Sequence, residues 1–218
     1  GGNAERRTQN AERDLRGWEW RHLWSQCQSD ERFTLFNRTN PVTALAFSTD
    51  GLQLAVRRYP GTVMLWDVQA RRMIWEQPAS PWFKALAACP SGPLLAWGIR
   101  ESNGAPSVLL WDTALQREVA RLPHADDVVS LAFSPDGRWL AGGQGGIQLW
   151  QAVDGTTAGT ISDAFGGIVS LAFSPDSLRI ACGDGDGVVR VYNVWDRTLA
   201  WVRAVSGDVT AVTYGAPD

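Results

Sequence analysis

A block of about 41 residues occurs four times in this chain, and a fifth copy begins near its end. Equivalent positions in the five copies are occupied by Leu45, Leu86, Leu131, Leu171 and Val212, with steps of 41, 45, 40 and 41 residues. Each full copy then reaches an aromatic-polar pair, at 66–67, 111–112, 150–151 and 192–193. A period of this length indicates a repeat protein whose units are stabilised by packing against their neighbours.

One repeat contains the signals for four short strands. In the third copy these lie at 128–134, 139–142, 147–150 and 156–161, and Pro135-Asp136-Gly137 marks the first turn. Strands joined by tight turns form an antiparallel meander, which we name A to D, and its two apolar faces require cover. We therefore predict an all-β chain, a β-propeller of four-stranded antiparallel blades, whose repeats start near 42, 83, 128, 168 and 209. The prediction is a partial ring of about four blades plus the start of a fifth.

The motif LAFSPDG at 131–137 and the terminal Trp-Asp pairs resemble the WD-repeat family of β-propellers, from about residue 33 to the end. In that family a His, a strand-B hydroxyl, a turn Asp and the strand-C Trp form a hydrogen-bonded chain across the blade. The resemblance assigns this structural role to His124, Asp186, Trp66, Trp111, Trp150 and Tyr192. No copy holds the complete set, so we expect the blades to depend more on hydrophobic packing.

The first 31 residues form a separate unit in this interpretation. Asn3–Gln28 predicts one or two helices, with Trp20 and Trp24 at helical spacing, so the propeller is expected over 32–218. Leu15–Trp24 resembles the segment before propellers of large bacterial multidomain proteins, where a serine/threonine kinase domain often lies upstream. The segment is either a helix that packs its tryptophans on the propeller rim or a separate docking element.

The resemblance also implies a larger ring. The resemblance to WD-repeat propellers implies a ring closed by seven or eight blades. We therefore expect further blades beyond Asp218 or closure by self-association. Phe33–Asn37 stands in the place of an outer strand D, which in this family completes the last blade and removes an open sheet edge.

Charge and cysteine content restrict the partners and the compartment. A net charge of −3 and a pI near 5.4 give no general attraction to nucleic acid or to anionic membranes. Neither a signal peptide nor a membrane-spanning apolar run is present in the sequence. Cys27, Cys89 and Cys182 are too few and too scattered for a disulfide framework, which favours a reducing, cytoplasmic compartment.

The sequence offers no catalytic, cofactor or metal residues. Asp184-Gly185-Asp186-Gly187 is the best metal candidate, but Val188 and Trp195 stand where a calcium loop of the EF-hand type needs oxygen ligands. The histidines, His22 and His124, are too few and too far apart to predict a zinc site. We predict a protein that is not an enzyme and binds no cofactor. An enzymatic propeller is the weakest alternative.

The copies differ most in the D-to-A and B-to-C loops, which share one face of a propeller. The candidate partner-binding residues there are Arg57, Arg58 and Tyr59 in the first blade, Arg100, Glu101 and Asn103 in the second, and Asp126 and Asp127 before the third. Arginine on one sector and aspartate on another suit a protein or peptide of complementary charge, and ordinary solvated loops are the alternative. The sequence thus predicts a noncatalytic scaffold, or alternatively the sensor or substrate-docking arm of a bacterial serine/threonine kinase.

Overall fold

The structure is a computed structural model that describes residues 40–79, 81, 85–162 and 166–215. All regular secondary structure in these residues is β, in sixteen strands that form four antiparallel sheets of four strands each. The helices predicted within residues 1–31 and the outer strand predicted at Phe33–Asn37 lie outside the described residues.

Each sheet is one blade, with its strands paired in chain order as A, B, C and D. The first blade contains β1 (Val42–Phe47), β2 (Gln53–Arg58), β3 (Thr62–Asp67) and β4 (Arg72–Pro78). The second contains β5 (Leu86–Ala88), β6 (Leu94–Arg100), β7 (Pro106–Asp112) and β8 (Arg117–Pro123). The third contains β9 (Ser130–Phe133), β10 (Trp139–Gly143), β11 (Ile147–Gln151) and β12 (Thr157–Ile161). The fourth contains β13 (Ile168–Phe173), β14 (Arg179–Asp184), β15 (Val188–Asn193) and β16 (Leu199–Ala204). The predicted meander is confirmed.

The A-to-B turns repeat one hydrogen-bonding pattern. In the first blade Asp50 accepts hydrogen bonds from Ser48 Oγ at 2.6 Å and from the Leu52 backbone N–H at 2.9 Å. These two bonds lower the pKa of the Asp50 carboxyl. Asp136 and Asp176 bind their own turns in the same way, so all three are turn residues, as the repetition in sequence predicts.

Successive blades pack face to face, with their A strands innermost in the contact. The A strands of neighbouring blades lie beside one another, and each of three buried apolar clusters joins two adjacent blades. Between the third and fourth blades Gly143 permits a close approach, since a Cβ there would lie 3.0 Å from side-chain atoms of Ile168 and Leu171. Ser130 Oγ accepts a hydrogen bond from the Leu171 backbone N–H at 3.0 Å across the same boundary.

The fifth copy lies against the fourth blade in the same manner. Val209 is buried next to Gly183, and the Val212 backbone N–H donates to Ser170 Oγ at 3.1 Å. This bond is equivalent to the one between Leu171 and Ser130. The fifth copy therefore begins where a next blade belongs, although its described residues form no strand. In the part of the chain that the structure describes, no helix is long and apolar enough to span a bilayer.

Candidate binding cleft between the first two blades

Arg57 and Arg58 are not exposed loop residues, so that part of the predicted loop face is wrong. They are the last two residues of β2, with exposed fractions of 1% and 4%. Arg57 Nη1 donates to Thr43 Oγ1 at 2.8 Å, and burial lowers the pKa of its guanidinium. Arg58 lies 3.8 Å from the carboxylate of Glu76 on β4. Both side chains are covered by the protein and are integral to the first blade.

Tyr59, the next residue, is where the chain leaves the sheet. Its residue surface is 56% exposed, and its backbone N–H donates to the Pro41 carbonyl at 3.0 Å. Of the three candidates in this blade, Tyr59 alone presents its side chain to solvent.

Two of the charges predicted on different sectors of the loop face, Arg100 and Asp127, are paired with each other. Arg100 Nη2 donates to both carboxylate oxygens of Asp127, at 2.7 and 3.0 Å, and Arg100 Nη1 donates to the Gly104 carbonyl at 2.8 Å. Asn103 Oδ1 accepts from the Ala105 backbone N–H within the same loop. The Arg100–Asp127 pair ties the second blade to the loop before the third, so these two charges do not stand on separate sectors as predicted.

A second ionic group lies on the outer strand of the second blade. Arg121 pairs with Glu118 at 2.8 Å and with Glu101 at 3.0 Å. Its hydrogen bonds to Glu118 and then to Glu101 raise the pKa of its guanidinium. Glu101, which was predicted to bind a partner, thus pairs with Arg121 of the same blade.

The remaining loop candidate, Asp126, is exposed and borders the third blade. Its backbone N–H donates to His124 Nδ1 at 3.1 Å, and its carboxylate lies beside Gly145. The His124 and Trp150 rings are 6.0 Å apart, yet Trp150 Nε1 is buried with no hydrogen-bond partner among the described residues. The polar chain expected from the family is therefore broken in this blade, as predicted.

The other structural candidates take different positions in their blades. Tyr192 is buried, and Trp66 and Trp111 are partly exposed. Asp186 is exposed, whereas Asp184 is 1% exposed and accepts hydrogen bonds from the backbone N–H groups of Asp186 and Val188. The buried carboxylate of this turn is thus Asp184, and the assignment of that role to Asp186 is corrected.

A cleft of about 470 Å³ opens between the first and second blades, next to Arg100. Its apolar wall is formed by Ile99, Leu109 and Trp111 of the second blade. The first blade contributes the end of β4 and the loop after it, at Gln77, Pro78, Ala79 and Pro81, and the charged rim contains Arg100, Glu118 and Arg121. Ligand sites in proteins have this volume and this mixture of an apolar wall with a few polar groups.

The cleft results from residue differences between blades at two sets of equivalent positions, one on the outer strand and one on strands B and C. Strand pairing makes Gln77 equivalent to Leu122 and Ile161, which are buried and fill the two following blade boundaries from the outer strand. The same pairing makes Ile99 and Leu109 equivalent to Asp184 and Arg190 of the fourth blade. In the first boundary a polar side chain therefore replaces the apolar filler, and the wall behind it is apolar.

Trp111 of this wall belongs to a cluster of three tryptophans. The ring centroids of Trp75, Trp97 and Trp111 are 5.5 to 6.2 Å apart, which is the range of favourable aromatic contacts. Trp97 is fully buried, and the indole nitrogens of all three are buried with no hydrogen-bond partner among the described residues. Trp75, Gln77 and Trp97 were not predicted from the sequence, although alignment of the copies shows Gln77 where the second and third have Leu122 and Ile161.

The family model for the WD domain, G-beta repeat, matches residues 30–67, 116–151 and 155–193, which is just over half of the chain. The chain belongs to the WD-repeat family. Most of the second blade of this WD-repeat protein, including the cleft wall, falls outside the matched stretches.

Comparison with solved structures supports the same fold. One chain in a crystal structure of the mitotic checkpoint complex is similar, with a TM-score of 0.68 and 21% sequence identity. The alignment covers 81% of this WD-repeat chain and 55% of that chain, so the sequence spans little more than half of that protein's length. A search of curated proteins found no match. Among the described residues, no three His, Cys, Asp or Glu side chains are grouped to hold a metal ion.

Proposed function

We propose that this WD-repeat protein is a noncatalytic scaffold that binds a protein partner through the cleft between its first two blades. The observation that carries the proposal is the exchange of an apolar filler for Gln77 beside the apolar wall of Ile99 and Leu109. The family fold supplies a rigid set of sheets on which such a cleft keeps its shape.

The chemistry of the cleft favours an extended peptide with an apolar side chain. Ile99, Leu109 and Trp111 offer the surface on which that side chain packs, and the Gln77 amide can hydrogen-bond to the peptide backbone. Arg121 on the rim is paired with Glu101 and Glu118, so the rim presents balanced charge. Apolar contact in the cleft therefore contributes most of the affinity, and the rim disfavours partners with a high charge of either sign.

The substitution Gln77→Leu tests the site with little change in volume. It places in the first boundary the apolar side chain that Leu122 provides in the second, so the hydrogen-bonding amide of the cleft is removed while the fold is kept. Peptides selected from a displayed random library on the unaltered chain are expected to bind Gln77→Leu about tenfold more weakly or worse. The affinities are measured by fluorescence anisotropy.

Gln69→Leu is the matched control, because Gln69 lies in the exposed C-to-D turn of the same blade and outside the cleft. It is expected to leave the affinity unchanged. Equal binding by the unaltered chain and by Gln77→Leu would mean that the cleft is not the binding site.

The kinase-linked alternative rests on the segment Leu15–Trp24, which lies outside the described residues. In that alternative the cleft recruits a substrate or signal peptide to a kinase domain of the same polypeptide. The sequence of the reading frame before Gly1 tests it directly, since a serine/threonine kinase domain there is the required outcome.

A further inference from the structure

We infer a second peptide-binding site on the face opposite the loops, in a cavity between the third and fourth blades. This turn face is formed by the A-to-B turns after β1, β5, β9 and β13 and the C-to-D turns after β3, β7, β11 and β15. The inference is independent of the cleft, because the cavity shares no residue with it.

The turn face carries the most exposed apolar side chains of the described residues. They are Trp195 at 86%, Val153 at 75%, Leu178 at 66% and Leu115 at 62% exposed. Turns on a solvated surface need no large apolar residues, and tryptophan in particular is enriched at the centres of protein interfaces. Trp195 and Leu178 also lie together in the fourth blade, where the Val194 backbone N–H donates to the Leu178 carbonyl at 2.9 Å.

These two side chains border a cavity of about 140 Å³. Val194 and Trp139 line it together with Ser177, and Asp136 and Arg138 stand on the side of the third blade. A cavity of roughly 150 Å³ is known to hold one benzene molecule, so this one has room for a single leucine- or phenyl-sized side chain. The occupant is therefore one anchoring side chain of a peptide rather than a folded surface.

The charges around the cavity indicate which kind of peptide residue should lie next to the anchoring side chain. Arg138 has a side chain 80% exposed, and its ion pair with Asp136 is a loose contact of 3.7 Å. The neighbouring carboxylates are satisfied within their own turns: Asp176 by Ser174 and Leu178, and Asp196 by Thr198. Asp136 likewise accepts from Ser134 Oγ and the Arg138 backbone N–H. The guanidinium of Arg138 can therefore pair with a carboxylate of the peptide. The expected ligand has an apolar residue beside Asp or Glu.

The test uses the Gln77→Leu chain as bait for a displayed random peptide library, so that the proposed cleft site is weakened and its failure as a site does not affect the result. Enriched peptides are expected to share a Leu, Met or Phe next to an acidic residue. Trp195→Ala and Leu178→Asp are expected to weaken their binding about tenfold or more. Leu115→Asp, an equally exposed position in a turn of the second blade, is the matched control and leaves the affinity unchanged.

A charge exchange tests the role of Arg138. Arg138→Glu is expected to weaken acidic peptides about tenfold, and replacing the acidic residue of the peptide by Lys restores the binding. The proposal is overturned if no peptide is enriched, or if enriched peptides bind the Trp195 and Leu178 variants as well as the bait. It is also overturned if sedimentation shows that the chain forms dimers that Leu178→Asp abolishes, because the face then serves a second copy.

Discussion

The boundary between the first two blades and the boundary between the last two are built from the same strands but filled differently. At the first boundary Arg57 is one of the last two residues of strand B, and Trp75 and Trp97 fill the interior. At the last boundary Gly143 occupies the place of Arg57, and Cys182 occupies the place of Trp97. Large side chains fill one boundary, whereas close approach of the backbone closes the other.

The difference shows how one repeat yields both a closed and an open boundary. Where the fourth blade presents Asp184 and Arg190, the second blade presents Ile99 and Leu109. The ionic pair occupies its site with short contacts of its own, whereas the two aliphatic side chains form a largely buried apolar wall that lines the cleft. A binding site can thus arise in a repeat protein when a few side chains at one blade boundary are exchanged and the strands stay the same.

Trp97→Ala tests the large-residue boundary and has the largest expected effect. Removing a fully buried indole leaves a cavity and deprives Trp75 and Trp111 of their neighbour, at a cost of about 4 kcal/mol in the free energy of unfolding. Urea unfolding followed by circular dichroism measures it. Cys182→Ala at the equivalent position is expected to cost about 1 kcal/mol. Similar losses for the two variants would show that the boundaries are not filled differently.

Asp184→Asn tests the ionic filler of the last boundary. Burial raises the pKa of Asp184, but hydrogen bonding from Val188 and pairing with Arg190 outweigh it, and the pKa lies below the ordinary value of 3.8. A carboxyl with a lowered pKa stabilises the fold above its unfolded pKa, and that contribution is lost as the pH falls through the folded pKa. Asp184→Asn is expected to cost about 3 kcal/mol at neutral pH.

The pH dependence separates this role from a simple packing defect. The stability of the unaltered chain is expected to fall more steeply below about pH 4 than that of Asp184→Asn, as followed by thermal unfolding across a pH series. Asp208→Asn, at an exposed position, is the control and should follow the unaltered chain. Parallel pH profiles for all three proteins would contradict the assigned role of Asp184.

Gly143→Ala tests the close approach at the last boundary. The added Cβ would lie 3.0 Å from atoms of Ile168 and Leu171, so these side chains must shift, at a cost of about 1 kcal/mol. Gly92→Ala is the matched control, because nothing lies within 4 Å of a Cβ at that position. Chemical denaturation of the two variants checks the difference, and an equal effect would mean that Gly143 is not a contact point.

Gln77→Leu is expected to have the smallest effect on stability. The new side chain buries apolar surface against Ile99 and Leu109 and raises the free energy of unfolding by about 0.5 kcal/mol. Thermal unfolding measures the shift, with Gln69→Leu for comparison. A loss of stability would indicate that the Gln77 amide stabilises the fold and does more than line the cleft.

The sequence allowed the strands and turns to be predicted because both depend on neighbouring residues. The A-to-B turn after Phe133 follows from Pro135, Asp136 and Gly137, and the strand bounds of the third copy lie close to those predicted. The burial of Arg57 and Arg58 could not be predicted, because a polar residue at a strand end is exposed or covered according to what packs beside it. The composition of that segment resembled a binding loop.

The cleft was beyond sequence reasoning for a related reason. Its lining combines Gln77 with Ile99 and Leu109, three positions on different strands whose neighbourhood depends on how two sheets meet. The pairing of Arg100 with Asp127, 27 residues apart, likewise depends on how two loops approach each other. Comparison of the first three blades by strand pairing, once the register is known, shows Gln77 where the next two have Leu122 and Ile161.

The serine hydroxyls that join blades form contacts that run in one direction along the chain. Ser130 receives the backbone of the fourth blade, and Ser170 receives that of the fifth copy in the same way. Ala44 and Ala85 stand at the corresponding places in the first two blades and offer no such acceptor. In its second half the chain is therefore a polar array, in which a serine of one blade accepts a hydrogen bond from the backbone of the next, always in the same direction along the sequence.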